Sequence, residues 1–340
     1  MKISVALCTY NGSRYLGEQL ESIARQTRIP DELIICDDRS TDDSVEIAGK
    51  FADAAPFPVK IIVNETNIGS TANFSKAIGS CSGDVIALSD QDDVWLPHKL
   101  ERIGSEFEAA DVGLVFSNAE LTDEQLNSIG MTLWREVFRP HDRRIFAAGN
   151  ARIVLLQYNV VTGATMAFRS TLRPAILPVP ELYEFIHDAW IALVASLSSQ
   201  VRMIPAPLIK YRQHSAQQLG AGLSRWNIPR IEHHRMRVVD RKAALERIED
   251  FRRIFDEEWL ERLRSIAPDP GSVPTVSEMQ RLLDDAKQSI GQNIEHHSAR
   301  ADLPLVRPLR APKILREYMT GRYGKFSRGW QSAVLDLVRK

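Results

Sequence analysis

The sequence predicts an α/β protein in which a mostly parallel sheet is flanked by helices and followed by a helical C-terminal region. Apolar runs of strand length alternate with segments of helical periodicity from the N-terminus to Phe116. Strands that alternate with helices form parallel sheets with right-handed crossovers. From Trp226 onward, apolar residues recur at three- and four-residue steps among Arg and Glu, which predicts long amphipathic helices. We therefore divide the chain into an α/β domain, residues 1–225, and a helical region, residues 226–340.

Each predicted strand is a short apolar run that ends in turn-forming residues. The strands in the first part of the chain are Ile3–Cys8, Glu32–Cys36, Val59–Val63, Asp84–Leu88 and Val112–Phe116. An insertion over residues 121–152 follows, and its expected packing anchors are Trp134, Phe138 and Phe146. Residues 159–169 then predict a β segment that contains Gly163, and residues 201–212 predict a terminal hairpin.

Composition excludes several classes of protein. The chain is 44% hydrophobic and 26% charged, as ordinary soluble globular proteins are, and its net charge of -1 argues against general nucleic-acid binding. The three cysteines, Cys8, Cys36 and Cys81, have no metal-site spacing and are expected to be buried thiols in a reducing cytoplasm. The first strand begins at Ile3, which leaves no room for a signal peptide, and no apolar run reaches the ~18 residues of a membrane span. We expect a cytoplasmic protein with at most peripheral membrane contact.

Polar residues follow three of the predicted strands, at the edge where parallel strands end. Thr9 follows the first strand, Asp38 the second, and Asp90, Asp92 and Asp93 the fourth. In open parallel sheets, ligands bind outside these carboxyl ends. The three clustered carboxylates repel one another, and a divalent cation held by one or two of them and by substrate phosphates would offset that repulsion. Asp38 could accept a hydrogen bond from a nucleotide base or ribose.

Other interpretations of these residues stay open. An Asp-rich turn that caps the next helix also explains residues 90–93, and Asp37–Asp38 also suits a turn before a helix. The Gly-x-Gly-x-x-Gly and Walker lysine motifs are both absent, so the two commonest phosphate-binding loops are excluded.

Three motifs in order carry a resemblance to a known family. They are Val5–Gly12, Asp37–Ser44 and Ser89–Asp93, each after a successive strand. Together they are similar to the family 2 glycosyltransferases, inverting sugar transferases of the GT-A fold with its Rossmann-like sheet. The similarity covers roughly residues 1–215. It implies that residues 1–225 bind a nucleotide sugar and catalyse transfer.

The resemblance also implies individual site residues. The donor nucleotide site would comprise Thr9, Tyr10, Asn11, Asp38, Gly69, Asn73 and Asp90. A divalent cation, Mn²⁺ or Mg²⁺, would bind Asp92 with Asp90, and His214 would complete its ligands. Gly69 also suits an ordinary turn and His214 a structural role, and Arg212 is an alternative partner for the diphosphate charge.

The predicted catalytic base is Asp188, at the start of a helix. Family members place an acidic residue there, and His187-Asp188 replaces the commoner Glu-Asp pair. The His-Asp-x-Trp form is similar to a rhamnosyltransferase-like subgroup. The alternative is an N-terminal carboxylate that the helix dipole favours.

The resemblance therefore implies a metal-dependent inverting glycosyltransferase of surface polysaccharide or O-antigen type synthesis. The donor would be UDP- or dTDP-linked, and the acceptor a glycan or lipid-linked glycan. A catalytically idle sugar-nucleotide-binding scaffold and a metal-dependent nucleotidyltransferase remain alternatives.

The last segment of the chain is strongly basic. Residues 305–340 hold nine Lys or Arg against Glu317 and Asp336, together with Tyr318, Tyr323, Phe326 and Trp330. Basic segments with aromatic residues suit the surface of an anionic membrane. Packing on the catalytic domain, or on a second subunit as a homo-oligomer, is the alternative.

Overall fold

Across the residues that the structure describes, a nine-stranded mixed sheet forms the centre of the computed structural model. These residues are 1–182, 186–214, 230–304, 307–327 and 329–338, of which 230–235 and 307–308 are described by backbone alone. The strands are β1 (Ile3–Thr9), β2 (Glu32–Asp37), β3 (Val59–Val63), β4 (Val85–Ser89), β5 (Val94–Trp95), β6 (Val112–Thr122), β7 (Ser128–Thr132), β8 (Met166–Arg169) and β9 (Gln200–Arg212). The predicted boundary at residue 225 lies outside the described residues.

The helices separate and follow the strands. They are α1 (Ser13–Ala24), α2 (Ser44–Ala54), α3 (Ser70–Ser80), α4 (Lys99–Glu106), α5 (Leu133–Val137), α6 (Pro140–Ala147), α7 (Ala151–Leu155), α8 (Arg173–Ile176), α9 (His187–Ser198), α10 (Arg230–Ile254), α11 (Glu257–Ile266), α12 (Val276–Ala301), α13 (Ala311–Met319), α14 (Arg322–Phe326) and α15 (Trp330–Val338). Within these ranges, none of the helices combines the length and the apolar character that crossing a membrane requires.

The sheet has the order β3-β2-β1-β4-β8-β6-β9-β5, with β7 paired to β6. The strands β1 to β4 are mutually parallel, as the sequence predicts. Strand β8 is antiparallel to both of its neighbours, and β9 runs parallel to β6. Because β1, β2 and β4 point the same way, their ends meet at one side of the sheet, which we call the carboxyl edge.

Apolar side chains cover both faces of the sheet. Val5 and Leu7 of β1 pack with α1 and α4 on one face, and Ala6 and Cys8 pack with α3 and α9 on the other. Strands that are buried on both faces give continuous apolar runs, which is why β1 to β4 are recognisable in the sequence. All three cysteines are buried and unpaired.

The C-terminal helices extend the core that contains α9. The indole of Trp190 in α9 stacks on Phe255, just after α10, with ring centroids 5.8 Å apart, and lies 5.9 Å from Trp259 of α11. Helix α12 packs along α10, and its apolar side chains join the same cluster. In the insertion, Trp134, Phe138 and Phe146 gather around Phe116 of β6, which confirms them as packing anchors.

Two expected elements are wrong in detail. The terminal hairpin is a single strand, β9, because residues 200–212 pair with β6 along their length instead of turning back. The residues between Ile204 and Pro207 bulge out where the sequence indicates a turn, as proline in a strand favours. In residues 159–169, only Met166–Arg169 form a strand, and Gly163–Thr165 form one turn of 3₁₀-helix before it.

Candidate active site

Hydrogen bonds join the ends of β1, β2 and β4 at the carboxyl edge. The backbone N–H of Asp38 donates to the carbonyl oxygen of Thr9 at 2.9 Å. The side-chain oxygen of Gln91 accepts from Thr9 Oγ1 at 2.7 Å and from the N–H of Tyr10 at 2.8 Å. A Cβ atom at Gly12 would overlap that oxygen of Gln91, so a side chain there would displace the amide that makes these two hydrogen bonds. The loops after β1 and β4 are therefore fixed against each other.

Asp38 is buried and holds the loop after β3. Its Oδ1 accepts from Asn64 Nδ2 at 2.9 Å and from the N–H of Ile68 at 2.8 Å, and its Oδ2 accepts from the N–H of Gly69 at 2.8 Å. Gly69 has φ 82°, a conformation that favours glycine. Asn64 also donates to Asn73 Oδ1. Since each carboxylate oxygen can accept two hydrogen bonds, Oδ2 of Asp38 can accept one more.

Two of the predicted donor residues form the outer part of the edge. The side chain of Tyr10 is 48% exposed. Asn11 has φ 47°, and its Oδ1 accepts from the N–H of Thr41 at 2.8 Å, which ties the loop after β1 to the loop before α2. The structure therefore gives Asn11 a role in loop geometry.

The acidic cluster after β4 is buried at Asp93 and half-buried at Asp90 and Asp92. Asp93 is fully buried; its Oδ1 accepts from the N–H of Arg212 at 3.2 Å, and its Oδ2 has no hydrogen-bond partner. Burial, and then the charges of Asp92 and Asp90, raise the pKa of Asp93 well above its ordinary value. Burial, with the charges of Asp92 and Asp188, raises the pKa of Asp90 to about 7. A bound cation would stabilise the ionised carboxylates and so lower these raised pKa values.

A buried lysine links this cluster to the turn before β8. The Nζ atom of Lys99 donates to the carbonyl oxygen of Ala164 at 2.6 Å and lies 3.6 Å from the ring centroid of Trp95. Burial lowers the pKa of Lys99 well below its ordinary value, and the charges of Asp93 and Asp90 oppose that shift. Lys99 is not among the predicted site residues, because a lysine in the first turn of a helix is normally exposed.

Asp92 and His214 face each other across the end of β9. His214 Nε2 lies 2.8 Å from Asp92 Oδ2, and the His214 ring packs on Tyr15 with centroids 4.9 Å apart. Within the described ranges, no three ligating side chains come together as a metal site. Asp92 and His214 face each other, and Asp90 lies two residues before Asp92 in the chain. This set of side chains fits a divalent cation that takes its remaining ligands from substrate phosphates and water.

The side chain of Arg212 holds this region together through hydrogen bonds to three separate segments. It is buried, its Nε donates to the carbonyl oxygen of Asp92 at 2.8 Å, and its terminal nitrogens bind Glu18 and the carbonyl oxygen of Glu124. Its guanidinium also lies 4.4 Å from the ring centroid of Tyr15. These contacts disfavour the alternative in which Arg212 binds the diphosphate.

Asp188 lies in the first turn of α9, held by two donors. Its Oδ1 accepts from Asn159 Nδ2 at 3.0 Å and its Oδ2 from the N–H of Gly163 at 3.2 Å. Burial raises the pKa of Asp188 to about 7, against the opposing hydrogen bonds from the backbone N–H groups of Gly163 and Ala189. The charge of Asp188 in turn raises the pKa of Asp90, so the two carboxylates share one electrostatic environment. A carboxylate in this state is suited to general base catalysis near neutral pH.

His187 packs beside this carboxylate as a neutral ring. It stacks on Phe74 with centroids 4.1 Å apart, and its Nδ1 has no hydrogen-bond partner. Burial lowers the pKa of His187 to about 3, so its ring is uncharged at neutral pH. A Cβ atom at Gly163 would lie 3.4 Å from His187 Nε2, so the turn passes close to this ring.

The structure thus brings the predicted residues to one edge of the sheet. Asp38 is hydrogen-bonded to the end of β1, and Asp90 and Asp92 follow β4. Lys99 interacts electrostatically with Asp93 and Asp90 and donates to the carbonyl of Ala164, next to the Gly163 that holds Asp188. Asn64, Gln91, Lys99 and Asn159 are further polar residues of the site that were not predicted. Gln91 lies inside the acidic motif and Asn159 begins the predicted β segment, whereas Asn64 and Lys99 carried no sequence signal.

Comparison with solved structures defines the class of fold. The structure resembles the mannosyltransferase PcManGT from Pyrobaculum calidifontis, in complex with GDP-Man and Mn²⁺, with a TM-score of 0.51 at 16% identity over 99% of this chain and 85% of that one. It also resembles S. aureus TarS in complex with UDP-GlcNAc, with a TM-score of 0.50 at 18% identity over 96% and 93% of the two chains. The expected GT-A fold, with a C-terminal helical region, is confirmed.

Sequence comparison identifies the family. The model "Glycosyl transferase family 2" matches residues 4–173, half of the chain, and the chain belongs to that family. An uncharacterized glycosyltransferase of Nostoc sp. is 29% identical over 223 residues, 64% of this chain and 66% of the relative. The Escherichia coli protein WfgD, a UDP-Glc:alpha-D-GlcNAc-diphosphoundecaprenol beta-1,3-glucosyltransferase, is 29% identical over 127 residues, 37% of this chain and 48% of WfgD. The chain therefore spans half to two-thirds of the length of these relatives.

Proposed function

We propose that this chain transfers a sugar, with inversion, from a nucleoside-diphosphate donor to a hydroxyl group of a glycan. The observation that carries the proposal is the geometry of Asp188, a buried carboxylate with a pKa of about 7, held by two donors beside the acidic cluster of the carboxyl edge. Residues 1–225 would form the catalytic unit and residues 226–340 a helical unit that supports it through α9.

The proposed reaction is a single displacement. The acceptor oxygen forms a bond to the anomeric carbon from the face opposite the leaving group, and the bond from that carbon to the diphosphate oxygen breaks. Asp188 takes the proton of the acceptor hydroxyl, and the nucleoside diphosphate leaves with the bonding electrons. One displacement inverts the anomeric configuration.

The remaining predicted residues have binding roles in this proposal. Thr9, Tyr10, Asn11, Asp38, Gly69, Asn73 and Asp90 shape the nucleotide site, either directly or through the loops they fix. Asp92 and His214, with Asp90, would hold Mn²⁺ or Mg²⁺. The ion, when bound, supplies positive charge to the leaving diphosphate.

Donor and acceptor are proposed by chemical class. The name of WfgD supports a UDP-linked donor and a lipid-diphosphate-linked glycan acceptor, as in surface polysaccharide or O-antigen synthesis. The His-Asp-x-Trp form of residues 187–190 motivates a dTDP-linked deoxysugar such as rhamnose as the competing donor. Buried, unpaired cysteines favour a cytoplasmic enzyme that meets its acceptor at the inner face of the membrane.

The test combines binding and transfer. UDP-, dTDP- and GDP-sugars would be screened by thermal shift with and without Mn²⁺, and the stabilising donor would be used radiolabelled. Asp188→Asn should abolish transfer and keep the donor-induced thermal shift. Asp92→Ala should remove the response of donor binding to metal, and Asp53→Asn, at an exposed position, should change neither. Equal loss of transfer and donor binding in Asp188→Asn would refute the base role, and donor binding by the wild type without any transfer or hydrolysis would favour a scaffold.

A further inference from the structure

Helix α15 buries its polar side and exposes its apolar side, the reverse of an ordinary surface helix. Ser332 and Asp336, four residues apart, are buried, and Asp336 pairs with Arg300 and accepts a hydrogen bond from the Tyr323 hydroxyl at 2.7 Å. The exposed side of α15 is apolar, with side chains 37 to 64% accessible: Trp330, Val334, Leu335, Leu337 and Val338. A helix at a water-facing surface normally turns its charged residues outward.

Helix α13, which packs against α15, shows a second exposed apolar face. Leu315, Tyr318 and Met319 lie on one side of α13 and are 60%, 45% and 79% exposed, and Leu309 just before the helix is 61% exposed. We call these four residues and the five of α15 the C-terminal apolar surface. Exposed apolar patches of this kind mark contact sites for membranes or other proteins.

The exposed charges that this segment itself carries all have one sign, while the exposed Glu295 and Asp302 of the neighbouring part of the chain lie near Arg322 and Lys313. Between Leu309 and Val338, Glu317 and Asp336 are both buried, where Glu317 pairs with His296 and Asp336 with Arg300. Among the described residues of this segment, the exposed charged side chains are Lys313, Arg316 and Lys325. The segment therefore presents apolar and positively charged groups to its surroundings, with its acidic groups withdrawn into the protein.

We propose that the C-terminal apolar surface binds the surface of a lipid bilayer that contains anionic lipids. Apolar side chains enter the boundary between headgroups and acyl chains, an interfacial Trp favours that position, and lysine and arginine are attracted to anionic headgroups. A second copy of the chain would bring like charges together, which disfavours self-association through this surface. The proposal is independent of the proposed transfer chemistry and names the partner of the helical region.

The experiment measures binding of the full chain to vesicles in the absence of donor. Vesicles of phosphatidylcholine with phosphatidylglycerol, and of phosphatidylcholine alone, would be pelleted with the protein, and the bound fraction determined against lipid concentration. We expect binding to the anionic vesicles that weakens as salt is added, because the charges of headgroups and side chains are screened.

Two sets of variants separate the apolar and the charged contributions. Trp330→Ser/Val334→Ser should weaken binding about tenfold, and Val239→Ser, on α10 and 66% exposed, is the matched apolar control. Lys313→Gln/Arg316→Gln/Lys325→Gln should weaken binding to anionic vesicles about 100-fold, since each basic residue near such a surface contributes roughly fivefold. Lys60→Gln/Arg102→Gln/Lys242→Gln removes three exposed basic residues elsewhere and should leave binding unchanged.

Three results would overturn the proposal. They are no vesicle binding, equal binding to both vesicle types, and a dimer in sedimentation velocity that Trp330→Ser/Val334→Ser dissociates. In the last case a second copy covers the surface. All substituted positions are exposed, so circular dichroism should show native folding in each variant.

Discussion

Replacing Asp188 with Asn should change the pH dependence of folding as well as catalysis. The raised pKa of Asp188 means that the folded protein holds this proton more tightly than the unfolded chain does. The contribution of Asp188 to stability is therefore complete below pH 4 and is lost as the pH rises through about 7. Asn has no such titration, so the variant should gain stability relative to the wild type as the pH rises.

The size of the effect follows from the two pKa values. With a folded pKa of about 7 and an unfolded value of about 3.9, ionisation of Asp188 costs the native state about 1.5 kcal/mol at pH 5 and about 4 kcal/mol at pH 8. The substituted Asn side chain at position 188 also has one oxygen acceptor fewer for the N–H donors of Asn159 and Gly163. That loss is the same at both pH values. The difference in unfolding free energy between variant and wild type should therefore increase by about 2.5 kcal/mol from pH 5 to pH 8.

Urea denaturation followed by circular dichroism at pH 5 and pH 8 measures this difference directly. Asp53→Asn, at an exposed position in the last turn of α2, is the control for the removal of one carboxylate. If the difference between Asp188→Asn and wild type is the same at both pH values, Asp188 titrates as an ordinary carboxyl group. Asp188 would then not be a base poised near neutrality.

Three further substitutions test the surroundings of the site. Asn159→Ala removes the donor to Asp188 Oδ1, so the acid limb of the pH–rate profile should move up by about one pH unit; a uniform loss of kcat with an unchanged profile would contradict this positioning role. His214→Ala should raise the Mn²⁺ concentration for half-maximal activity at least about tenfold, and an unchanged metal titration would make His214 structural. Lys99→Met should lower the urea-unfolding free energy by about 2–4 kcal/mol, and a loss under about 1 kcal/mol would show that the buried amine contributes little.

The predictable part of the site is the part that local sequence determines. Thr9, Asp38 and Asp90 each follow an apolar run, and parallel strands bring such run ends to one edge. No long-range contact has to be known to place them together. The helices α1 to α4 were predictable for the same reason, since their apolar spacing is local.

The unpredicted part depends on contacts between distant segments. Asn159 binds Asp188 across 29 residues, and Lys99 reaches the carbonyl of Ala164 across 65 residues. Local preference was also overridden at residues 200–212, where pairing with β6 keeps two prolines within one strand. A turn signal competes there with a ladder of hydrogen bonds that only the tertiary structure supplies.

Helix α15 shows a further limit of sequence patterns. Apolar spacing defines two faces of a helix, and the usual inference places the apolar face inside. Here the polar face is the inner one, because Arg300 of α12 and Tyr323 of α14 bind Asp336 from positions far from it in the chain. Burying Asp336 against a buried arginine avoids an uncompensated charge. Trp330 and Val334 are exposed, and no described part of the chain covers them. The orientation of α15 therefore depends on its buried ion pair, and breaking that pair should cost both the fold of the C-terminal helices and their binding to anionic vesicles.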